Sequence, residues 1–366
     1  MTAITPTRPT LSITGWGVVS PWGFDVSSFS EGLTAQEPAR RDVTAEFEDS
    51  LPATHGYMVS DLVAREHLGR KGVSTLDRTS VLTMISSLEA LAGRPADSDR
   101  TRFGMVLGTS AGSTRSTSEY SKATYVEDKP YLVNPLIFPN AVMNCAASQT
   151  AIRVGLQGVN ATIAGGATAV LSVLRYASRL IARGRIDRLL VGATEEFSPQ
   201  WAWESHYTYG PEAVAAGEGS AMFVVEGTDS VGPDTQVYAE ILGTQVVTND
   251  GRRSLTERMR RCLSDACSEA GIAPDDVWAV LSSENGSDTD RDEDAAITAE
   301  LGPHCRRIRI KELLGEARSA STALQLAAAI SLHKSGACPT GSIFIVTART
   351  PEGNVGVSVL RGVCRD

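Results

Sequence analysis

Residues 162–170 place a short apolar stretch directly before two consecutive glycines, and an amphipathic stretch follows them. Up to Gly184 the apolar positions repeat with the 3.6-residue period of a helix; they are Val170, Leu171, Val173, Leu174, Ala177, Leu180 and Ile181. A second apolar run at 188–193 completes a predicted strand, tight turn, helix and parallel strand. Such an elbow can hold a nucleophile at a helix N-terminus, where backbone amides bind an oxyanion. Here the elbow residue is Ala167, whose methyl group cannot attack a substrate.

The length and composition favour a large α/β protein. A chain of 366 residues is long for one simple domain, so we expect two domains or two similar halves. A hydrophobic content of 42% with 33 glycines and 6% aromatic residues is typical of an α/β fold with many tight turns. The formal charge of −9 argues against a nucleic-acid partner. No apolar run approaches about 20 residues and the N-terminal stretch lacks an apolar signal core, which predicts a cytoplasmic protein with no membrane partner.

Cysteine and histidine are dispersed along the chain. The six cysteines form no C-x-x-C pair, and the five histidines form no H-x-x-x-H pair. A metal site needs ligands at such spacings, so we expect no metal and no cofactor. The cysteines are predicted to be reduced thiols of a cytosolic protein; they are Cys145, Cys262, Cys267, Cys305, Cys338 and Cys364.

Strand-like and helix-like segments alternate along the whole chain. The segments that we predict to contain strands are 11–23 with its Gly/Pro turn, 102–108, 161–164, 188–193, 217–226 with its leading glycine turn, 237–242, 277–282, 342–346 and 355–360. The predicted helices are 77–92, 141–155, 170–184, 254–271, 292–301 and 321–332, with 113–129 a helix or an excursion and 201–209 an aromatic loop. A polar segment with Gly and Pro, 227–235, predicts a linker. The pattern therefore predicts a duplicated α/β fold with two mixed sheets, its halves being residues 1–228 and 236–366.

Several segments, in order, resemble the β-ketoacyl synthases, the condensing enzymes of fatty-acid and polyketide synthesis. They are LSITGWGVVSPWG (11–23), RFGMVLGTSAG (102–112), NPLIFPNAVMNCAASQTAIRVGLQ (134–157), GEGSAMFVVE (217–226) and EGNVGVSVL (352–360). The resemblance covers nearly the whole chain. It implies the thiolase-like fold, in which two duplicated halves with mixed sheets form α-β-α-β-α layers.

The resemblance also implies where catalytic residues should lie. The family's enzymes use a cysteine nucleophile at the elbow and two histidines from the second half. The cysteine position is Ala167 here. The first histidine is expected within 281–287, where Glu284 is our candidate for the equivalent position, and the second follows a Lys-x-x-x-Gly-His pattern that here retains Lys311 and replaces histidine by Glu316. We therefore expect no catalytic residues in this chain.

Loss of all three residues resembles the chain-length factor, the ketosynthase β subunit of a bacterial type II polyketide synthase. That likeness implies a non-catalytic subunit that pairs with an active ketosynthase α subunit. The heterodimer would form the tunnel for a growing polyketide or polyene chain during decarboxylative condensation on an acyl carrier protein. Family members often carry glutamine at the elbow, and Ala167 cannot donate the amide hydrogen bond, which argues against independent decarboxylation.

The resemblance further implies which residues line the tunnel and the subunit interface. Tunnel residues are expected in the segment 113–120, where the small side chains of Thr114, Ser116, Thr117 and Ser118 precede the larger Tyr120. The helix 141–155 and the strand 161–164 are expected to form the interface through Asn144, Cys145, Ile163 and Ala164. A basic cluster, Arg258, Arg260 and Arg261, is either a docking surface for the carrier protein or a solvated helix face.

Two other functions stay open from the sequence. One is a divergent acyltransferase or hydrolase that uses Cys145, Ser148 or Glu316, and the other is a homodimeric scaffold that binds acyl chains. Cys145 lies within a predicted helix and about twenty residues too early relative to Gly192, which favours a packed thiol. His206 is expected to pack in a loop, and Glu316 to form a structural ion pair with Lys311 or Arg318.

Overall fold

The computed structural model describes residues 10–93 and 100–363, so Cys364 lies outside the described residues. The strands are β1 (Leu11–Val19), β2 (Arg41–Asp42), β3 (His55–Gly56), β4 (Phe103–Thr109), β5 (Asn160–Ala164), β6 (Arg188–Glu195), β7 (Gly219–Gly227), β8 (Ala239–Val247), β9 (Val277–Leu281), β10 (Arg307–Ile308), β11 (Ile343–Arg349) and β12 (Val355–Gly362). The α-helices are α1 (Val26–Ala35), α2 (Ala64–Leu68), α3 (Arg78–Ala90), α4 (Thr114–Val126), α5 (Cys145–Val154), α6 (Ala169–Ala182), α7 (Pro199–Tyr209), α8 (Leu255–Ala270), α9 (Asp290–Leu301), α10 (Ile310–Leu314) and α11 (Arg318–Lys334).

In the described part of the chain, ten strands form one mixed sheet in the order β10-β9-β11-β12-β8-β1-β7-β6-β4-β5. The five strands on either side of the β8–β1 junction repeat the same order and directions. In the first half β1 is antiparallel to β7 and β7 to β6, while β6, β4 and β5 are parallel. In the second half β8, β12, β11, β9 and β10 follow the same rule. This repeat confirms the predicted α/β fold with two duplicated halves.

The junction between the halves differs from the prediction of two separate sheets. Leu11, Ser12 and Ile13 of β1 pair with Ile241, Glu240 and Ala239 of β8, so short hydrogen-bonded pairing joins both halves into one sheet. The predicted linker, residues 227–235, lies between β7 and β8.

Helices α6 and α11 form the central layer between the two halves of the sheet. Helix α6 contacts β4 and β6 of the first half and β8 of the second, and α11 contacts β6, β7 and β11. Helices α3 and α5 cover the first half, and α8 covers the second. The Ala- and Ser-rich sequence of α11 explains its place, because small side chains let a helix lie close to strands while buried over most of its length.

Several element boundaries differ from the sequence prediction. The predicted helix 141–155 begins only at Cys145, because Phe138–Ala141 forms a 3₁₀ helix and residues 142–144 are not helical. The predicted aromatic loop 201–209 is part of α7. Ser198 caps this helix by accepting a hydrogen bond from the Trp201 N–H at 3.1 Å, and Pro199 occupies its first turn. Segment 113–129 contains helix α4, which Ser113 caps in the same way.

None of the helices in residues 10–93 and 100–363 is both long and apolar enough to span a bilayer.

Candidate functional site

The elbow after β5 holds Ala167 at the start of the central helix α6. Gly166 has φ +54°, in the left-handed region that favours glycine, and this turn directs the chain from strand to helix. Ala167 lies in the 3₁₀ turn Gly166–Thr168 and is 6% exposed. Thr322 of α11 donates a hydrogen bond to the Ala167 carbonyl at 2.7 Å, which ties the elbow to the second half. The elbow geometry is therefore present, and the side chain at its tip is a methyl group.

A cavity of about 440 Å³ opens beside Ala167 and is called the elbow cavity below. Thr114, Trp201 and Arg318 contribute to its wall. The Arg318 guanidinium carbon lies 3.7 Å from the centroid of the Trp201 ring, and the guanidinium pairs with Glu204. The wall of the elbow cavity thus carries a fixed cation, where a synthase needs a thiol and imidazoles.

Glu316 and Lys311 form a buried ion pair next to this cavity. Lys311 Nζ lies 2.6 Å from Glu316 Oε2, and the two side chains are 3% and 1% exposed. The carboxylate also accepts hydrogen bonds from Asn285 Nδ2 at 3.0 Å, the Arg318 N–H at 3.0 Å and Ser321 Oγ at 3.3 Å. Each oxygen therefore has two donors, which is the arrangement that makes a buried carboxylate tolerable.

The glycine of the Lys-x-x-x-Gly motif, Gly315, is required for steric reasons. Gly315 precedes Glu316 with φ +83°, and a Cβ there would lie 2.6 Å from Tyr57 Cδ2. The turn that aims position 316 into the site therefore requires glycine.

Asn285, and not Glu284, faces Glu316. Glu284 points away from it, since its carboxylate accepts two hydrogen bonds from Arg309, both at 3.1 Å, and one from Ser282 at 2.5 Å. Our choice of Glu284 as a site position is thus corrected, because neighbouring residues along this extended segment point to opposite sides. A sequence signal was available: glycine follows Asn285 just as it follows histidine in the family's His-Gly-Thr motif.

A second buried ion pair, which the sequence analysis missed, supports Asn285. Arg349 Nε lies 2.9 Å from Glu293 Oε2, and Arg349 Nη2 donates to Asn285 Oδ1 at 3.2 Å. Burial acts to raise the pKa of Glu293, but the Arg349 cation and hydrogen bonds from Ser283 and Thr347 outweigh it and hold this pKa below its usual value. No local pattern marks Arg349 and Glu293, which are 56 residues apart.

A smaller cavity of about 210 Å³ includes Lys311, Glu316 and Asn285. It shares Tyr209 and Thr350 with the elbow cavity. Burial, with Glu316 adding to it, raises the pKa of the Tyr209 hydroxyl well above its usual value. Neither cavity is lined by a histidine or a cysteine among the described residues. In the same residues, no group of three or more His, Cys, Asp or Glu side chains is placed to hold a metal ion.

The predicted tunnel residues lie on α4 but face different surroundings. Thr114 lines the elbow cavity. Ser116 and Thr117 hydrogen-bond to Ser113, and Tyr120 packs against Phe138 with 5.4 Å between ring centroids. Ser118 lines a separate cavity that also includes Trp203 and Lys122. Within this chain, Thr114 is thus the member of the predicted set that shares a cavity with Ala167.

The predicted interface residues surround the free edge of the sheet. Strand β5 is the last strand of the described sheet, with Ile163 half-buried and Ala164 and Asn144 exposed. A group of exposed apolar side chains occurs on the segments that precede it and on α5; they are Tyr125, Val126, Tyr131, Leu132, Leu136, Phe138, Val142, Met143 and Ile152. An apolar group of this size with an unpaired strand edge is typical of a protein–protein interface.

The other candidate groups lie outside the elbow cavity and the smaller cavity. Cys145 is buried at the start of α5, and burial together with the nearby Asp77 raises the pKa of its thiol, which disfavours the reactive thiolate. Ser148 lies on the same helix. His206 is on α7, in ring contact with Trp203, and lines neither cavity described above.

The basic cluster is not a free docking patch. Arg258 is buried and donates to the Gly353 carbonyl at 3.0 Å, while Arg260 pairs with Glu300 at 2.8 Å. Arg261 forms an exposed pair within its own helix. These contacts favour the solvated or structural alternative for the cluster.

Comparison with known proteins gives consistent matches. The family model for the N-terminal domain of beta-ketoacyl synthases matches residues 9–210. The chain is 26% identical over 366 residues to the oxytetracycline polyketide putative beta-ketoacyl synthase 1 of Streptomyces rimosus, covering 89% of this chain and 85% of the relative. It is 25% identical over 364 residues to the 3-oxoacyl-(acyl-carrier-protein) synthase 2 of Coxiella burnetii (strain RSA 493 / Nine Mile phase I), covering 89% and 86%. A solved structure described as the ishigamide ketosynthase/chain length factor matches with a TM-score of 0.89 at 28% identity, covering 97% of this chain and 100% of the other.

Proposed function

The chain belongs to the beta-ketoacyl synthase family and has its thiolase-like fold, and we propose that it is a chain-length-factor subunit that forms no carbon–carbon bond itself. The condensation would be performed by a separate ketosynthase α subunit with an intact cysteine and two histidines. This chain would complete the heterodimer and contribute part of the wall around the growing polyketide.

The proposal rests on which side chains the site contains. Decarboxylative condensation needs a nucleophile to accept the acyl chain and imidazoles to promote loss of carbon dioxide and to stabilise the enolate. The elbow presents the methyl group of Ala167, and the ion pair Lys311–Glu316 with Asn285 occupies the space around the second histidine position. None of the five histidines of the chain lines either cavity. The walls of both cavities, as the described residues form them, offer no imidazole for these two steps.

The partner proposal rests on the free edge of β5 and the exposed apolar side chains near it. An edge strand that pairs with another copy or a related subunit would extend the sheet and cover these side chains. The solved relative at 28% identity is described as a ketosynthase/chain length factor, which supports a ketosynthase as the partner. The Coxiella relative acts, by its name, on acyl-carrier-protein substrates, which supports a carrier protein as the donor of the chain.

The test is reconstitution with a type II ketosynthase α subunit and a malonyl-loaded carrier protein. We expect no elongation by this chain alone and elongation by the co-purified heterodimer. Activity should be lost when the partner's nucleophilic cysteine becomes alanine and retained with Cys145→Ala in this chain. Elongation of a thioester by the purified chain, or loss of activity with Cys145→Ala, would refute the non-catalytic role. A homodimer that never binds the ketosynthase would favour the scaffold alternative.

The cavity assignment gives a second test with a matched control. Thr114→Trp fills the elbow cavity, whereas Ser118→Trp on the same helix places its ring in the separate cavity. We expect shorter products from the heterodimer with Thr114→Trp and unchanged products with Ser118→Trp. Unchanged chain length in both variants would remove the elbow cavity from the path of the chain.

A further inference from the structure

A fourth cavity, of about 340 Å³, lies outside both parts of the site described above and apart from the cavity that Ser118 lines. It is called the Arg40 cavity here. Side chains from the segments around β3, from α7 and from the loop after α7 line it; those used below are Arg40, His55, Tyr57, Phe197, His206 and Ala213. Its volume falls in the range of about 300–1,000 Å³ that is usual for small-molecule sites.

The wall of the Arg40 cavity gathers donors suited to an anion. Within residues 10–93 and 100–363, no carboxylate pairs with the exposed Arg40 guanidinium, and this cation acts electrostatically on the Tyr57 hydroxyl. His55 and His206 add two imidazoles, and His55 Nδ1 lies 2.8 Å from Thr54 Oγ1. A guanidinium with no counter-ion among the described residues can bind a carboxylate through two parallel hydrogen bonds.

Much of the remaining wall is apolar, and Ser205 and Glu212 are its polar members. Phe197 is 2% exposed, and Phe47 packs behind it with 5.7 Å between ring centroids, so its position is fixed. Ala202 and Ala216 keep the adjacent space open because their side chains are small. Next to a cation, a largely apolar wall, which the nearly buried Phe197 ring reaches with its edge, suits a ligand with a flat apolar body and one negative charge.

Backbone hydrogen bonds connect the wall of the Arg40 cavity to Asn285 and Glu316. The Val214 N–H donates to the Asn285 carbonyl at 2.8 Å, and the Glu316 N–H donates to the Ala215 carbonyl at 3.0 Å. The segment 213–216 thus lines the Arg40 cavity while its backbone holds Asn285 and Glu316 in place. A ligand in the cavity would contact the segment that positions both residues.

We propose that the Arg40 cavity binds a small aromatic carboxylate, with the carboxylate on Arg40 and the ring between Phe197 and the 213–216 segment. Glu212 also lines the cavity, and its charge repels a dianion about twice as strongly as a monoanion, which favours a ligand with a single carboxylate held by Arg40. The site does not depend on the proposed subunit role, because none of its residues belongs to the elbow, to the Glu316 cluster or to the β5 edge.

The experiment is a titration of the full-length chain with 1-naphthoate by isothermal calorimetry, with neutral 1-naphthamide as the matched probe. Loss of a charge-assisted pair is expected to weaken naphthoate binding by roughly tenfold or more in Arg40→Gln. Ala213→Phe should abolish binding by filling the cavity. Arg183→Gln, which removes an exposed arginine elsewhere, should change affinity less than about twofold. Naphthamide should bind wild type at least about tenfold more weakly than naphthoate.

Each contrary outcome overturns the proposal. The absence of saturable naphthoate binding to the wild type removes the site. Equal binding of naphthamide removes the role of the carboxylate. A loss of affinity in only one of Arg40→Gln and Ala213→Phe also contradicts it, because a ligand seated as proposed must feel both changes. Far-UV circular dichroism and the urea midpoint of each variant establish that a loss of binding is not a loss of fold.

Discussion

The ion pair between Lys311 and Glu316 should be among the strongest side-chain couplings in this protein. Both side chains are almost fully buried and Nζ lies 2.6 Å from Oε2. Glu316→Leu would leave the Lys311 ammonium buried without a counter-ion, and Lys311→Met would leave the carboxylate with its other three donors. The two single variants should therefore destabilise the fold unequally.

The magnitudes follow from what each change leaves behind. Removing one partner of a buried pair costs about 3–5 kcal/mol of unfolding free energy, which we expect for Glu316→Leu. Lys311→Met should cost about 1–3 kcal/mol, since Asn285, the Arg318 N–H and Ser321 still serve the carboxylate. The double variant removes both charges, so its cost should fall below the sum of the singles by about 1–3 kcal/mol.

The assay is urea unfolding of all four members of this double-mutant cycle, in 0.1 M and in 1 M NaCl. The control cycle uses Arg261 and Asp265, an exposed pair on α8 whose side chains are 58% and 53% accessible. Its coupling should be about 0.5 kcal/mol or less and should decrease with salt, whereas the buried coupling should be nearly insensitive to salt. A Lys311–Glu316 coupling no larger than that of the control would refute the view that this pair stabilises the cluster around Glu316.

Three further outcomes are expected. Burial and the neighbouring Asp77 carboxylate raise the pKa of Glu196 from 4.5 to about 7, so the folded chain holds a proton that the unfolded chain releases. The protonated Glu196 contributes about 3 kcal/mol to the free energy of unfolding below about pH 4.5, and this contribution is lost as the pH rises through 7. Glu196→Gln should flatten the pH dependence of the free energy of unfolding, measured by urea titration at several pH values. Ile152→Asp, within the group of exposed apolar side chains near β5, should prevent co-purification with a ketosynthase, whereas Tyr207→Asp at an equally exposed position on α7 should not. Equal effects of the two variants would argue against this group as the binding surface for the ketosynthase. Ala167→Cys should restore no elongation of malonyl-carrier substrate, because no imidazole lines either cavity, and any measurable product would contradict this account.

Much of the fold could be predicted because its signals are local. The elbow at Ala167 is marked by an apolar strand, two glycines and a helical period, and the structure contains all three parts. Helix α8 was bounded within one residue, since Ser254 caps it through a reciprocal bond with Glu257 and Gly271 ends it in the left-handed conformation. Helix α7 differs from the predicted aromatic loop. Its start is marked by Ser198 as the N-cap residue and Pro199 in the first turn, and these signals outweigh the clustering of aromatic residues.

The site could be predicted only where a motif fixes the spacing. Lys311 and Glu316 are five residues apart on a turn that Gly315 closes, so the motif placed them correctly beside each other. Glu284 lies next to the site position, and the glycine that follows Asn285 is the signal in the sequence that distinguishes the two residues. Arg349 and Glu293 come from different elements, and their pairing depends on the tertiary fold alone.

The replacements around the elbow are physically coupled, which is why a single reversal should not restore a synthase. Glu316 holds Lys311, Asn285 and the first backbone amide of α11, and Arg349 links Asn285 to the buried Glu293. Changing Glu316 to histidine would remove the counter-ion of Lys311 while Asn285 still offers an amide to that position. Restoring the imidazole therefore requires the surrounding charges to change with it, and the thiol at position 167 contributes only after they do.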